Sequence, residues 1–389
     1  MNLGYFSHSN ISPSETFIFD LLTGLIDEDQ INLIYVYGGS NPFSESFNIR
    51  NISSGFSGKY NIVSSYIRKG GQFLGGKGDK WKMSFNQMVS LRQLNNSNLP
   101  KFDVAYIDYA SSGILVMDYL KREKIPFIVH VHGYDITSST NDKAYLIELK
   151  HLFEKAVLFI AASQYMKKRL ILLGCDQRKI EVIQYGVDSS QITPMSWKDR
   201  LKFPPSIVFL GRLTNKKHPI ALLHAFKIVQ KKIATAKLTI IGDGHLKEDV
   251  AKEISRLELT ENVTMMGVLS RKESFPILNK SWIYAQHSVT GLDGDTEGFA
   301  ISLAEAALHG LPVVSTIHNG ITENVVDGKT GFLVPEYDYE SMAEKIIYLI
   351  QNPNIAEKMG KAGRKHILSL CNSQQRLEKI IKILNIIKH

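Results

Sequence analysis

The stretch Ile207-Val-Phe-Leu-Gly-Arg-Leu-Thr-Asn-Lys-Lys217 joins a short apolar run to a glycine and then to a cluster of cations. An apolar run of this length before a glycine is typical of a strand buried on both faces of a parallel sheet. Five similar runs follow it and six precede it. These eleven runs are 3–6, 32–37, 104–107, 126–131, 157–161, 180–184, 237–241, 263–266, 283–286, 312–315 and 331–334. Strands that alternate with helical segments predict an α/β protein with doubly wound sheets.

The chain of 389 residues is long enough for two domains, and 44% hydrophobic residues suffice for a core in each. A stretch containing Pro and Ser, 191–205, separates the two series of strands. We therefore predict an N-terminal domain at 1–190 and a second domain at 191–366. The last segment, 367–389, has apolar residues at helical spacing and should form a helix that packs back across the domains. Ligands are expected at the carboxyl ends of the strands and in the cleft between the domains.

Several features argue against other classes of protein. Cys175 and Cys371 lie far apart without metal-ligand spacing, so neither a disulfide framework nor a zinc site is indicated. The first residues lack the basic and apolar regions of a signal peptide, and no uncharged apolar run reaches the length of a membrane span. We therefore expect a reducing, cytoplasmic location.

The net charge of +8 is concentrated between Arg50 and Lys101. That segment holds nine basic residues and one acidic residue, Asp79, so its excess of eight equals that of the whole chain. Aromatic residues among the cations suit an anionic membrane surface or a phosphate-bearing acceptor, and nucleic acid would fit the same composition. A solvated, glycine-rich loop is the simpler account. We keep as a hypothesis that 50–101 contact the inner face of the cell membrane, and we expect no nucleic-acid partner.

The stretch Asp293-Gly-Asp-Thr-Glu-Gly-Phe-Ala-Ile-Ser-Leu-Ala-Glu305 is an acidic, glycine-broken loop that runs into a predicted helix. The first N–H groups of a helix lack carbonyl partners and carry the positive end of its dipole, so phosphate binds there. Gly298 allows close backbone approach, and Glu297 and Glu305 can accept hydrogen bonds from the vicinal hydroxyls of a sugar or ribose. Alternatively, Glu297 complements the helix dipole and Glu305 is a solvated helical residue.

The cations after 207–210 favour a phosphate site, because they follow the carboxyl end of a predicted strand. The Arg212 guanidinium offers a planar fork for phosphate oxygens, and Lys217 adds a compact charge five residues later. Together they could neutralise a departing diphosphate, as metal ions do elsewhere, so that no bound metal is required. Either cation alone would be an ordinary exposed residue of a βα loop.

These motifs resemble those of the retaining glycosyltransferases of the GT-B fold, which has two facing Rossmann-like domains, and specifically those of family 4. The resemblance covers most of the chain. It implies that Gly211, Arg212 and Lys217 bind the donor diphosphate. It also implies that Glu297 contacts the donor sugar near its reacting carbon and that Glu305 holds the nucleotide ribose.

The donor site that we expect also includes residues of three further loops. The resemblance places Gly242 beside the nucleotide, and it makes the segment 319–335, with Glu323, the part that closes the nucleotide pocket. The backbone N–H groups of Gly298, Phe299 and Ala300 should assist with the phosphates.

Two histidines close the predicted strand at 126–131. Alternation puts His130 and His132 on one face at its carboxyl end, with Asp135 shortly after, so both rings should look into the cleft. The resemblance implies that His132 touches the donor sugar. A metal hydrolase could use His-x-His and a nearby Asp for zinc or iron, but further ligands at sensible spacing are missing. A buried core histidine is a third possibility. We favour the sugar contact for His132 and expect no metal.

The segment Ser12-Pro-Ser-Glu15 forms a predicted capping box with proline at the first helical position. In the family this first loop lies beside the donor phosphates and the acceptor, often through paired glycines that this chain lacks. We therefore name Ser14, Glu15 and Asp135 as residues of the acceptor and phosphate loops. The variant resembles transferases that build exopolysaccharides, O-antigens and colanic-acid-like polymers.

We expect transfer of a hexose from a nucleotide sugar, such as a UDP- or GDP-hexose, to a glycan or lipid-linked glycan acceptor, with retention at the anomeric carbon and without cofactor or metal. One alternative is a sugar-nucleotide epimerase or hydrolase of the same fold. Another is a non-catalytic homologue that only binds a sugar nucleotide. The joint presence of Arg212, Lys217, Glu297 and Glu305 argues against the latter.

Overall fold

The computed structural model describes residues 1–7, 15–37, 52–53, 92, 94–95, 99–190 and 192–388. The chain divides into two compact units, of which one comprises Met1–Ile183 with Gln374–His389 and the other comprises Gln184–Ser373. Each unit contains one parallel sheet flanked by helices, so the predicted α/β class is confirmed.

The sheet of the first unit has the strand order β3-β2-β1-β4-β5-β6-β7. Its strands are β1 (Asn2–Ser7), β2 (Asn32–Tyr37), β3 (Ile52–Ser53), β4 (Val104–Asp108), β5 (Phe127–Val131), β6 (Leu158–Ala161) and β7 (Ile180–Val182). Its helices include Thr16–Ile26, Ala110–Arg122, Lys143–Lys155, Gln164–Leu172 and, from the end of the chain, Ser373–Ile387. Strand order reverses between β1 and β4, which defines the switch point where doubly wound sheets bind ligands.

The sheet of the second unit has the order β10-β9-β8-β11-β12-β13. Its strands are β8 (Ser206–Leu210), β9 (Lys237–Ile241), β10 (Val263–Gly267), β11 (Ile283–Ala285), β12 (Val313–Thr316) and β13 (Gly331–Val334). The helices are Trp197–Arg200, Pro219–Lys232, Lys247–Arg256, Arg271–Lys280, Ile301–Leu308, Ile321–Asn324, Tyr339–Gln351 and Pro353–Leu370. All pairings are parallel, so the carboxyl ends lie at one edge, and the switch point falls between β8 and β11.

All twelve strands predicted from apolar runs are present, and among the strands in the described residues the two-residue strand β3 was the one not anticipated. The last segment contains a helix at Ser373–Ile387, with Ile380 and Leu384 fully buried, whereas residues 367–370 end the preceding helix. Arg376, also buried, donates from Nη1 to the carbonyl oxygen of Phe17 at 2.8 Å. The last helix therefore packs on the sheet unit formed by the start of the chain.

Two sequence predictions near the N-terminus have different outcomes. The first helix spans Thr16–Ile26, and Glu15 is its N-cap without a capping side-chain hydrogen bond. The expectation that Glu15 is the third helical residue, and closes a capping box, is therefore wrong. Ser14 lies outside the described residues. Most of the basic segment between Arg50 and Lys101 also lies outside them, so its membrane contact stays a prediction.

Within the described ranges, no helix combines the length and the apolar character needed to cross a membrane.

The loops after β8 and β9 lie in backbone contact. Gly211 donates its N–H to the Ile241 carbonyl at 2.9 Å. A Cβ atom built on Gly242, whose φ is +134°, would lie only 2.0 Å from the carbonyl oxygen of Gly211. A Cβ atom on Gly244 would lie 2.3 Å from the oxygen of Leu213. Glycines at these positions therefore permit the close approach of two loops at the carboxyl edge.

We expect Gly242→Ala to destabilise the second unit by on the order of 3 kcal/mol, because the new methyl group would overlap backbone and the residue would be strained at positive φ. Gly267→Ala is the matched control: Gly267 has φ +68°, and no neighbouring atom lies within 4 Å of the position that a Cβ atom would take. That substitution should cost about 1 kcal/mol. Scanning calorimetry measures both, and equal shifts of the unfolding transition would contradict the steric argument.

Candidate functional site

The loop after β8 presents two cations in different environments. Arg212 is exposed, and its guanidinium has no hydrogen-bond or ion-pair partner in the part of the chain that the structure describes. Lys217 ends the 3₁₀ turn Asn215–Lys217 and is buried. The charge of Arg212 contributes to lowering the pKa of Lys217, after the larger effect of burial, so the two cations are electrostatically coupled. The structure thus brings together two of the residues predicted to bind a diphosphate.

Lys217 forms a buried ion pair with Glu297. Its Nζ lies 2.7 Å from Glu297 Oε2 and 3.4 Å from the side-chain oxygen of Gln286. Burial lowers the pKa of Lys217, although Glu297 opposes the shift. Burial alone would raise the pKa of Glu297, but Lys217 and Lys216 hold it below its usual value. Glu297 is therefore ionised at neutral pH, and each charge is the main counter-ion of the other.

Lys216 provides a second link between the same two loops. Its Nζ lies 3.1 Å from Asp295 Oδ2 and 3.3 Å from the carbonyl oxygen of Thr296. The sequence alone assigned no role to Lys216, because two adjacent lysines in a loop do not reveal which side chain points into the protein. The acidic loop is therefore tied to the cation loop by consecutive lysines.

A group of uncharged polar side chains lies beneath the ion pair. The Tyr284 hydroxyl donates to the Leu210 carbonyl at 3.0 Å and lies 2.9 Å from both Gln286 Oε1 and Ser302 Oγ. Gln286 in turn donates from Nε2 to Ser288 Oγ at 2.7 Å. Sequence reasoning missed these residues, since they looked like the end of an apolar strand. A polar residue at the end of β11 was the available signal.

The helix that follows the acidic loop begins later than expected. It spans Ile301–Leu308 with Ala300 as N-cap, so Gly298, Phe299 and Ala300 precede the helix and do not belong to its first turn. The backbone N–H groups of 299–302 have no hydrogen-bond partner among the described residues, although Phe299 and Ala300 are buried. Buried N–H groups rarely lack partners. Four consecutive donors at a helix start are suited to an anion.

Glu305 lies on this helix and is buried. Its Oε1 accepts from Arg271 Nε at 3.2 Å, so the alternative of a solvated helical glutamate is wrong. Glu323 lies in the short helix Ile321–Asn324, and its backbone carbonyl accepts from His366 Nε2 at 2.8 Å. Arg271 was not anticipated, because it belongs to a different crossover from Glu305.

In the first unit, His132 and His130 lie at the carboxyl end of β5 as predicted, but both imidazoles are buried. His132 Nε2 lies 2.8 Å from Asp108 Oδ1, and the side chain of His132 is only 2% exposed. His130 Nδ1 lies 2.6 Å from the hydroxyl of Tyr106. Burial lowers the pKa of His130 well below its usual value, so this ring is neutral. The expectation that His130 looks out from the strand end is wrong; it is a core histidine.

Asp108, His130 and His132 offer ligand atoms that all lie within 4.8 Å of one another, an arrangement that could hold a metal ion. The sequence argument against a metal was the lack of further ligands, and the fold supplies Asp108 from the neighbouring strand β4. Its other carboxylate oxygen accepts from the Tyr5 hydroxyl. The 2.8 Å separation of His132 Nε2 and Asp108 Oδ1 is that of a hydrogen bond, and this bond accounts for their close approach without a metal ion.

Asp135 is not available to an acceptor in this structure. It is fully buried, and its carboxylate accepts hydrogen bonds from the backbone N–H groups of Ala110, His132 and Gly133 at 2.9–3.0 Å. The predicted acceptor contact of Asp135 is therefore replaced by a structural role, since it fixes the turn after β5. Glu15 is engaged through Oε1 by the Tyr109 hydroxyl.

The sequence matches two family models that together cover most of the chain. Residues 14–191 match the model of Glycosyltransferase Family 4, and residues 196–366 match that of Glycosyl transferases group 1. The chain therefore belongs to the group 1 glycosyltransferases of family 4.

Curated relatives include bacterial polysaccharide transferases. The chain is 34% identical over 225 residues to WcaL of Escherichia coli K12, whose name assigns it to colanic acid biosynthesis as a glycosyltransferase. It is 29% identical over 253 residues to the amylovoran biosynthesis glycosyltransferase AmsK of Erwinia amylovora. These matches cover 58% and 65% of this chain. The chain spans 55% of the length of the first relative and 62% of the second.

Solved structures share the fold. Anabaena Alr3699/HepE, crystallised with UDP and glucose, has a TM-score of 0.76 at 17% identity, with 99% of each chain covered. Sucrose-phosphate synthase from Thermosynechococcus elongatus has a TM-score of 0.74 at 16% identity and covers 99% of this chain and 98% of its own. Together with the family, these neighbours define the GT-B fold for this chain.

We expect Lys217→Met to destabilise the second unit by roughly 3 kcal/mol or more, because it leaves the Glu297 carboxylate buried without its main counter-charge. The pKa of Glu297 should then rise above its unfolded value, and a raised folded pKa favours the folded state at low pH. The deficit should therefore shrink as the pH is lowered. Thermal unfolding between pH 5 and about pH 8 measures this trend.

Lys217→Met combined with Glu297→Gln is the control, since it removes both charges and should recover much of the stability. If the double variant is no more stable than the single variant at neutral pH, the ion pair is not the cause of the loss.

Proposed function

We propose that this chain transfers a hexose from a nucleotide-sugar donor to a glycan or lipid-linked glycan acceptor in cell-surface polysaccharide biosynthesis, with retention at the anomeric carbon and without a metal. The observation that carries the proposal is the buried Lys217–Glu297 pair at the carboxyl edge of the sheet, on a loop that also carries the exposed Arg212. The names of the curated relatives support the polysaccharide role.

In this proposal the donor diphosphate binds between the cation loop and the N–H groups of 299–302. Arg212 supplies a planar fork, and Lys217 supplies a charge that Glu297 already orients. The glycosyl bond breaks through an oxocarbenium-like transition state, in which negative charge grows on the departing diphosphate. Donors that are fixed before the reaction stabilise that charge without reorganisation.

The remaining residues of the second unit orient the donor. Glu297 contacts hydroxyls of the sugar, and Glu305 accepts from the ribose hydroxyls. Gly211 and Gly242 keep the loops thin enough for the diphosphate to approach the backbone. A diphosphate oxygen receives the proton of the acceptor hydroxyl on the same face of the sugar, so no nucleophilic carboxylate is assigned. The contact of His132 with the donor sugar stays a prediction.

Product analysis tests the function. The purified chain is incubated with UDP-glucose, UDP-N-acetylglucosamine or GDP-mannose and a lipid-linked glycan acceptor, and the anomeric configuration of the product is read by NMR. Nucleotide release without an acceptor would instead indicate a hydrolase or epimerase. Binding of the donor without any turnover would indicate a non-catalytic homologue. A parallel reaction in EDTA tests the role of the Asp108, His130 and His132 cluster, since loss of activity there would contradict metal independence.

Arg212→Ala should lower kcat at least about 100-fold, since it removes a donor that acts on the departing diphosphate. The unfolding temperature should not change, because the Arg212 side chain is exposed and has no partner in the described part of the chain. Arg212→Lys should give an intermediate rate, because an ammonium retains the charge without the fork. An Arg212→Ala variant with normal kcat would remove Arg212 from the proposed mechanism.

Glu305→Gln should raise the donor KM about tenfold with a smaller effect on kcat, because ribose binding contributes to ground state and transition state alike. The control is Glu248→Gln, an exposed glutamate on the helix Lys247–Arg256. Initial rates at varied donor concentration measure both variants. An unchanged KM in Glu305→Gln would exclude the ribose contact.

A further inference from the structure

The segment between β11 and the helix Ile301–Leu308 carries the acidic loop, yet much of it is buried without regular secondary structure. Gln286, His287 and Ser288 are fully buried, and Thr296 and Glu297 are nearly so. Backbone groups in such a segment cannot pair within a helix or a strand, so they need partners elsewhere in the fold. Those partners decide where Glu297 lies.

The partners come from three neighbouring loops. Two side chains donate to carbonyl oxygens of the segment: Ser315 Oγ to Gln286 at 2.7 Å and Thr316 Oγ1 to Ser288 at 2.6 Å. Three backbone N–H groups of the segment donate outward: Val289 to the Lys216 carbonyl at 2.8 Å, Thr290 to Glu336 Oε2 at 2.9 Å, and Glu297 to His318 Nε2 at 3.1 Å. The last bond is made by the backbone of Glu297 itself. His318 therefore holds the loop at the residue whose carboxylate meets Lys217.

The tautomer of His318 follows from its contacts. A backbone N–H can only donate, so Nε2, which faces Glu297 N, must carry a lone pair. The Asn319 side-chain amide lies 3.1 Å from the same nitrogen as a second donor. The proton is then on Nδ1, which donates to Glu336 Oε1 at 2.6 Å. These contacts assign Nε2 as the acceptor and Nδ1 as the donor, and His318 is almost completely buried.

Glu336 joins both ends of the acidic loop. One of its oxygens accepts from His318 Nδ1 and the other accepts from Thr290 N. The carboxylate therefore orients the ring that holds Glu297 and also anchors the residue that starts the loop. Removing Glu336 would release the start of the loop and leave the proton of His318 free to move to Nε2, where it would oppose the N–H of Glu297.

We propose that His318 is a positioning residue for Glu297 and that Glu336 fixes the tautomer in which His318 can act. The inference rests on the proposed function, because it assigns the loop a role in orienting the donor sugar. Misplacement of an orienting group by about 1 Å can cost about 100-fold in rate. Turnover then requires an acceptor at the position of His318 Nε2, because that acceptor holds the backbone of Glu297 in place.

His318→Gln and His318→Asn form the matched test. A glutamine oxygen can occupy the position of Nε2 and accept from Glu297 N, whereas an asparagine oxygen reaches only the position of Nδ1. We expect His318→Gln to keep kcat within about threefold of the wild-type chain and His318→Asn to lower kcat at least about tenfold. The donor KM should stay within about threefold in both, since the phosphate and ribose contacts are untouched.

The coupling of His318 with Glu336 is measured by a double-mutant cycle. Glu336→Ala should lower kcat more in the wild-type background than in the His318→Asn background, where the acceptor is already lost and only the bond to Thr290 N remains to be removed. Unfolding temperatures of all variants are measured in parallel. If His318→Asn is as active as His318→Gln, or if both lose kcat in proportion to their loss of stability, the positioning role is overturned.

A separate measurement distinguishes failure of this inference from failure of the proposed function. Proton NMR of the ¹⁵N-labelled chain should show a slowly exchanging Nδ1–H of His318 that disappears in Glu336→Ala. A resonance on Nε2 instead would overturn the assigned tautomer whatever the activity. A wild-type chain that transfers no sugar from any of the three donors would overturn the proposed function, and with it the catalytic meaning of the contact.

Discussion

The buried ion pair between Lys217 and Glu297 is the interaction on which the second unit's site depends. Two charges removed from water are tolerable only if they are paired and well solvated by polar neighbours; here the two charges bond directly, Gln286 Oε1 lies 3.4 Å from Lys217 Nζ, and the charge of Lys216 also favours ionised Glu297. The pairing fixes the cation loop and the acidic loop to each other. A polyanion that approaches this edge therefore meets an ammonium whose position is already set.

The architecture around the pair is a consequence of thin, closely spaced loops. The glycines at 242 and 244 allow two backbones to touch beside the switch point between β8 and β11. The N–H groups of 299–302, which have no partner among the described residues, follow two residues after Glu297, which Lys217 and His318 both contact. The ion pair and the backbone hydrogen bond to His318 therefore act on the same loop and together restrict its conformation.

The first unit uses the same kind of strand-end chemistry in a different way. Its carboxyl edge carries His132, His130 and Asp108, but their rings and carboxylate are bonded to one another and to tyrosines. Asp135 was named as a residue of the acceptor and phosphate loops, and in the structure its carboxylate accepts from three backbone N–H groups. A short polar residue beside a glycine often serves the turn itself, and sequence alone does not separate that role from ligand binding.

The sequence by itself determined the alternation of strands and helices, the family, and the residue types of the proposed phosphate site, because apolar runs, glycines and cations at fixed spacing are local properties of the chain. Only the tertiary structure decided which side chains meet. Lys216 turns toward Asp295, Arg271 reaches Glu305, and His318 accepts from Glu297 because parallel strands bring distant loops to one edge. Spacing along the chain carries no information about such contacts, since they depend on strand order and on where each buried backbone group finds its partner.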